Sequence, residues 1–308
     1  MILLAASAGG HVAQLHTLRS RLVGDQDVVW ATFQTPQTVS LLEDQEVEWL
    51  KYIPPRGVRQ VVGNVPRVWD VLRKRRVDHV YSTGAGIALV VFLIARARGI
   101  PCTYIESAAR GRGPSLTGRL VSRLPGVECR TQYRSWAGGR WSYRESIFDD
   151  FSTEPVDHPS VKRVTVTMGS IRPYGFDRLL DRLIQVVPAN VEVLCQLGET
   201  QLGERLLPPN FEFVASLPGK ELERRTAESD AVVAHAGIGS ALMAFNAGLR
   251  PVLAVRRSAH DEHVDDHQEQ ISRELAGRDL AIAVEADEMT WADIVESAQR
   301  RIITRATN

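Results

Sequence analysis

Cysteine is scarce in this 308-residue chain: only Cys102, Cys129 and Cys195, odd in number and far apart. That spacing excludes a disulfide framework and a cysteine zinc site, and it fits a reducing compartment. Net charge is absent as well. Thirty-seven Lys+Arg balance 37 Asp+Glu, which argues against a nucleic-acid coat and against an acidic disordered tail. No apolar run is long enough to span a bilayer. The longest, Ala85 to Ala95, has 11 residues and is closed by Arg96 and Arg98, where a spanning helix needs about 20. Met1 leads straight into Ile2-Leu3-Leu4-Ala5-Ala6, so no secretory signal is expected. What remains is an ordinary globular composition, 44% hydrophobic and 24% charged, at a length that suggests about two domains.

The charges are unevenly placed. Residues 1–155 carry 20 Lys/Arg against 14 Asp/Glu, a balance of +6, and residues 156–308 carry 17 against 23, a balance of −6. Eight arginines (110, 112, 119, 123, 130, 134, 140 and 144) fall within 110–144 with one acid, Glu128. A basic first half fits either a solvated surface or an anionic partner such as phospholipid head groups.

Short apolar runs alternate with helical patterns. They are Ile2–Ala6, Val28–Thr32, His79–Ser82, Cys102–Ile105 and Val127–Thr131, then Val161–Met168, Val191–Gln196, Phe211–Val214, Ala231–His235, Pro251–Val255 and Leu280–Val284. Runs of this kind predict parallel sheets buried on both faces. Glu145–Ser160, with its Asp149-Asp150, Glu154-Pro155 and His158-Pro159 pairs, interrupts the rhythm and reads as a linker. The expectation is an α/β chain of two doubly wound domains, 1–155 and 156–308. Ligands are then expected beyond the carboxyl ends of the strands, in the cleft that the domains face.

Four loops carry the chemistry. Ser7-Ala8-Gly9-Gly10-His11 follows the first strand. Its glycines allow close backbone approach, and the next helix begins there with free N–H groups, so an anion is expected. It is not the full dinucleotide fingerprint. His11 is a candidate base there, or a capping histidine. Ser82-Thr83-Gly84-Ala85-Gly86 repeats the arrangement, and its apolar helix from Ile87 is either core or a membrane-touching face. Glu106, in Tyr104-Ile105-Glu106-Ser107, stands just past a strand end, as a base or as an ion-pair partner of Arg110 or Arg112. In the second half, His235-Ala236-Gly237-Ile238-Gly239-Ser240 follows a strand and opens a helix, suited to a diphosphate. His260 to Gln268 is dense in histidines and acids but lacks the H-E-x-x-H spacing, so a sugar-hydroxyl array is expected rather than a metal.

These residues resemble a known group. The first-half loops, with Pro114-Ser115-Leu116-Thr117-Gly118-Arg119, look like the membrane-associated acceptor subunit of the two-subunit lipid-linked GlcNAc transferases and their bacterial exopolysaccharide counterparts. Val166-Thr167-Met168-Gly169-Ser170, Phe176-Asp177-Arg178-Leu179, the His235–Ser240 loop and Glu262-His263-Val264-Asp265-Asp266-His267-Gln268 look like the nucleotide-sugar subunit. The chain is similar to a fusion of the two and, more distantly, to the peptidoglycan GlcNAc transferase of glycosyltransferase family 28.

The resemblance implies a GT-B fold of two Rossmann-like domains and an inverting, metal-independent transfer without cofactor. The donor is a UDP-sugar, and the acceptor is a sugar on a polyprenyl diphosphate at the cytoplasmic face of the plasma membrane. His11 or Glu106 is the implied base. Gly9, Gly10, Ser82, Thr83, Gly84 and Arg110 are implied on the acceptor side. Gly169, Ser170, His235, Gly237, Gly239, Ser240, Asp266 and Gln268 are implied on the donor side, with Trp291–Arg305 returning to the first domain. An anionic membrane surface is an implied partner and nucleic acid is not. Met243 stands where the family carries an acid for the ribose. A transferase for soluble acceptors, a UDP-sugar 2-epimerase and a non-catalytic binding subunit are the competing expectations.

Overall fold

The computed structural model describes residues 1–54, 57–169, 173–263 and 267–304. The chain divides into two compact units, Met1–Ile147 and Phe148–Asn308. The division falls inside the segment expected to be a linker.

The first unit is built on a seven-stranded parallel sheet. Its strands are β1 (Ile2–Ala6), β2 (Val28–Phe33), β3 (Val47–Leu50), β4 (His79–Gly84), β5 (Cys102–Ile105), β6 (Val127–Thr131) and β7 (Trp141–Tyr143), in the order β3-β2-β1-β4-β5-β6-β7. Its helices are α1 (Gly10–Val23), α2 (Pro36–Leu41), α3 (Val58–Gly63), α4 (Val65–Lys74), α5 (Gly86–Ala97) and α6 (Leu116–Val121). Alternate residues of one strand serve two cores. Leu3 and Ala5 pack with α4 and α5 on one face, while Ile2, Leu4 and Ala6 pack with Val12 and Leu15 of α1 on the other. This double burial is why the strands read as unbroken apolar runs. Helix α5 belongs to that core: Ile87, Ala88, Val90, Val91, Phe92, Ile94 and Ala95 are buried, and Leu93 is exposed.

The second unit repeats the plan with β8 (Phe151–Pro155), β9 (Arg163–Thr167), β10 (Glu192–Gln196), β11 (Phe211–Val214), β12 (Ala231–His235), β13 (Val252–Val255), β14 (Ile282–Glu285) and β15 (Arg300–Thr304). The helices are α7 (Asp177–Val186), α8 (Gly219–Ala227), α9 (Ile238–Asn246), α10 (His267–Gly277) and α11 (Trp291–Ala298). Six strands form a parallel sheet in the order β11-β10-β9-β12-β13-β14. The other two correct the linker expectation. β8 pairs antiparallel with β15, Phe151 opposite Thr304 and Pro155 opposite Arg300, because Ile147, Phe148 and Phe151 are apolar enough to be buried. Ile294 and Trp291 of α11 join the second core, and β15 completes the β8 pair; Arg305 lies outside the described residues.

Both sheets place a reversal of strand order at the same point. In the first it falls between β1 and β4, in the second between β9 and β12. There adjacent loops leave in opposite directions, and a crevice opens at the carboxyl ends of the strands.

Candidate active site

The crevice of the first unit holds His11, one residue into α1. Its Nδ1 lies 2.7 Å from the Thr83 carbonyl, and Thr83 Oγ1 donates to the His11 carbonyl at 2.7 Å. The carbonyl can only accept, so Nδ1 carries the proton and Nε2 keeps its lone pair. Burial pushes the His11 pKa down, the Thr83 bond partly opposes this, and the Arg110 charge adds to the lowering. The imidazole is therefore neutral near pH 7, the form required of a base. Gly84, at φ +104, lies close beneath the ring: a Cβ there would stand 3.3 Å from His11 Cε1 and 3.1 Å from Tyr104 Oη. Gly9 has φ +83 and open space around it, and Gly10 opens α1. Ser82 and Thr83 are fully buried. Their hydroxyls are spent internally, Ser82 Oγ accepting from the Gly84 N–H at 3.1 Å. They shape the loop, and Arg110 is exposed at its rim.

Glu106 has a different character. It is 1% exposed. Its Oε2 accepts from the Ser115 N–H at 2.9 Å and the Ser115 hydroxyl at 3.1 Å, and its Oε1 from the Ser107 N–H at 3.2 Å and Tyr104 Oη at 3.3 Å. Burial raises its pKa against the lowering effect of these donors. Ser115 in turn caps α6 by accepting from the Gly118 N–H at 3.1 Å. Glu106 thus ties the 107–115 loop to β5, and both its oxygens are engaged. Sequence reasoning missed two more residues of this unit. Gln14 Oε1 accepts from the Ala108 N–H at 2.8 Å and from Gln132 Nε2 at 3.1 Å, and both glutamines are buried. The available signal was a polar residue on the apolar face of α1, three positions after His11.

The second crevice is organised around His235. A Cβ at Gly169 (φ +83) would lie 2.9–3.0 Å from three ring atoms, and one at Gly237 would lie 2.4 Å from Nε2. Two glycines therefore flank the imidazole. Ser240 Oγ is 3.3 Å from Nδ1, and the ring also hydrogen-bonds the Thr167 backbone. Burial, followed by the Arg256 charge, pushes His235 down to about 4, so it is neutral at pH 7. Gly237 is the N-cap of α9, and Gly239 has open space where a Cβ would stand. The first turn of α9 is thus a set of backbone donors reachable by an anion. Gln268 is buried, and its Oε1 accepts from the Arg256 N–H at 3.4 Å. Glu262 accepts a two-point bond from Arg178, 2.8 Å at each contact. Ser170 and Asp266 lie outside the described residues. Met243 Sδ accepts from Thr226 Oγ1 at 3.8 Å, which turns the thioether toward α8. Among the described residues no group of three metal-ligating side chains converges.

The arginine-rich segment is only partly a free surface. Arg130 pairs with Glu128 and Glu145, each at 2.9 Å, and Arg140 donates to three backbone carbonyls. Arg110, Arg112, Arg119 and Arg123 are exposed. No helix among the described residues is long and apolar enough to cross a membrane.

No family model matches the chain, and no curated protein sequence does. Solved structures do match. MurG of Acinetobacter baumannii is 19% identical over 96% of this chain and 89% of its own, with a TM-score of 0.59. The glycosyltransferase SnogD from Streptomyces nogalater is 19% identical over 97% and 92%, with a TM-score of 0.61. The UDP-N-acetylglucosamine 2-epimerase of Rickettsia bellii is more distant, 10% identical over 83% and 79%, TM-score 0.54. With its two doubly wound units and these neighbours, the chain has the GT-B glycosyltransferase fold.

Proposed function

We propose that the chain is an inverting, metal-independent glycosyltransferase that moves a sugar from a UDP-sugar to a sugar on a polyprenyl diphosphate in bacterial polysaccharide or glycolipid synthesis. The carrying observation is His11, whose Nδ1 is held by Thr83 and whose Nε2 keeps its lone pair. In the reaction, Nε2 takes the proton of the acceptor hydroxyl as that oxygen attacks the anomeric carbon. The bond from that carbon to the diphosphate breaks, and UDP leaves. The developing charge is met by the N–H groups of α9 and the glycine turns, preorganised dipoles that do a cation's work. On this reading Glu106 is a positioning residue, since its oxygens are engaged within the loop.

A membrane-borne acceptor is favoured by the apolar side chains exposed on neighbouring helices of the first unit. Val62, Val65, Trp69, Leu93, Leu116 and Leu120 lie on α3, α4, α5 and α6, and α3, α4 and α6 each pack against α5. Exposed Arg98, Arg119 and Arg123 accompany them. That mixture suits anionic lipid at a cytoplasmic membrane face. A second reading, a soluble small-molecule acceptor, is favoured by the burial of most of α5. The test is UDP release from a panel of UDP-sugars, with the acceptor supplied either as a polyprenyl-diphosphate sugar in vesicles or as a soluble glycoside. His11→Ala is expected to lower turnover about 10²–10⁴-fold with UDP affinity unchanged. Full turnover by a folded His11→Ala protein would reject the base assignment. Vesicle-independent turnover would select the second reading.

A further inference from the structure

Arg256 is the residue after β13, and its side chain is wholly buried. Its guanidinium donates to the Met168 carbonyl and, at 3.3 Å, to the Glu262 carbonyl. Its Cζ stands 5.3 Å from the centroid of the Phe176 ring. Among the described residues the Nε–H has no partner. Glu262, the acid whose charge acts on it, commits its carboxylate to Arg178 and to the Arg257 N–H. No ion pair to Arg256 exists among the described residues. Burial drives this guanidinium down to about 10. A buried cation held by two carbonyls and by no carboxylate among the described residues is under-neutralised by them, which is costly unless something else supplies the charge.

Its location says what that is. Met168 directly precedes the Gly169 turn packed on His235, and the Arg256 charge reaches His235 itself. We propose that Arg256 is the resident counter-charge of an anion site at the carboxyl ends of β9, β12 and β13, completed when a ligand's diphosphate docks on the Gly169 turn and the start of α9. Arg256 is a positioning residue. It acts through its field and through the Met168 carbonyl it holds, without touching the ligand. The nucleotide part of this assignment rests on the proposed UDP-sugar reading; the diphosphate part does not.

The test uses titration calorimetry of the whole chain with inorganic diphosphate, UDP and uridine. The variants are Arg256→Gln, which keeps an N–H donor without charge, and Arg256→Lys, which keeps the charge without the fork. Arg256→Gln is expected to bind diphosphate and UDP about 10–100-fold more weakly, with uridine affinity unchanged. Arg256→Lys is expected to stay within about tenfold of wild type. A folded Arg256→Gln protein that binds diphosphate within twofold of wild type overturns the inference, as does equal loss of diphosphate and uridine. If Arg256→Gln does not fold, Arg256→Lys decides, and a folded lysine variant without diphosphate binding rejects the charge role. Wild type that binds diphosphate but no nucleotide refutes the UDP reading and leaves the counter-charge standing. Wild type that binds neither refutes both.

Discussion

Gly237 and Gly239 stand two residues apart at the start of α9, and replacing each with alanine should move stability in opposite directions. Gly237 sits at φ −94, ψ 144, a conformation that alanine adopts freely, so the backbone is not strained. The cost is steric. A Cβ there stands 2.4 Å from His235 Nε2, 3.0 Å from Cδ2 and 3.2 Å from Cε1. On its other side the ring already fills the space that a Gly169 Cβ would need, 2.9 Å from Cε1, so it lies close against both glycine backbones. Overpacking of this kind costs about 1–3 kcal/mol. Gly239, by contrast, has nothing among the described residues within 4 Å of its Cβ position, and alanine in a helix is favoured over glycine by up to about 1 kcal/mol. At about 2–4 °C per kcal/mol, Gly237→Ala should lower the midpoint of the second unit by roughly 2–12 °C, and Gly239→Ala should hold it or raise it by up to about 4 °C. Differential scanning calorimetry reads both. The Gly239 methyl also fills the open space at the start of α9, so UDP affinity should fall in a protein that is no less stable. A Gly237→Ala protein as stable as wild type would show that His235 is not clamped between the two glycines. A Gly239→Ala protein that loses several degrees would show that its surroundings are filled.

Three further outcomes follow from the same geometry. Glu106→Gln places an amide where Oε1 and Oε2 each accept two hydrogen bonds, so about 1–3 kcal/mol of stability should be lost. Urea unfolding checks this, and an unchanged midpoint would mean that Glu106 is free to act elsewhere. His235 titrates at about 4 in the folded chain, against about 6.5 unfolded. The unfolded state therefore takes up its proton first as pH falls, and stability is full above pH 6.5 and declines between 6.5 and 4. His235→Gln should flatten that stretch of the stability profile; an identical profile would assign the decline to other groups. Leu93→Glu and Leu116→Glu alter exposed side chains and should leave folding intact. They should weaken sedimentation with anionic phospholipid vesicles at least tenfold, since each buried leucine is worth about 1.5–3 kcal/mol. Unaltered sedimentation would remove these helices from the membrane-facing surface.

The strands most legible in the sequence are the central ones, buried on both faces. β1, β5, β6, β11 and β12 fall where their apolar runs predict; every side chain of β1 and β5 and all but the last of β12 is buried, β6 alternates, and β11, an edge strand, buries only Phe211 and is marked instead by its aromatics. The missed strands lack burial on both faces. β3 is Val-Glu-Trp-Leu with only Leu50 buried, and β7 is three half-buried residues at a sheet edge. β8 and β15 find each other across about 145 residues, and nothing local in Arg300–Thr304 announces a partner near Phe151. The acid and proline pairs around β8 are true turn signals, but two buried aromatics outweigh them.

The site divides along the same line. A strand, a glycine and a helix start are neighbours in sequence, so both glycine loops and both histidines could be located from the residues alone. What each histidine does depends on distant partners. His11 becomes a defined tautomer only through Thr83, 72 residues away. Glu106 directly follows β5 and His235 is the last residue of β12, and sequence position alone ranks them as equals. They differ because Ser115 returns to fill both lone-pair directions of one Glu106 oxygen, whereas the His235 ring is left between two glycines with open space beyond Gly239. Arg256 was invisible for the complementary reason. An arginine pair after an apolar strand ordinarily marks the return to solvent, and only the packing of Phe176, Met168 and Glu262 around the first of the pair makes it a buried charge. Residues whose chemistry depends on neighbours along the chain are legible early. Those whose chemistry depends on what the fold brings to them, or fails to bring, must wait for the structure.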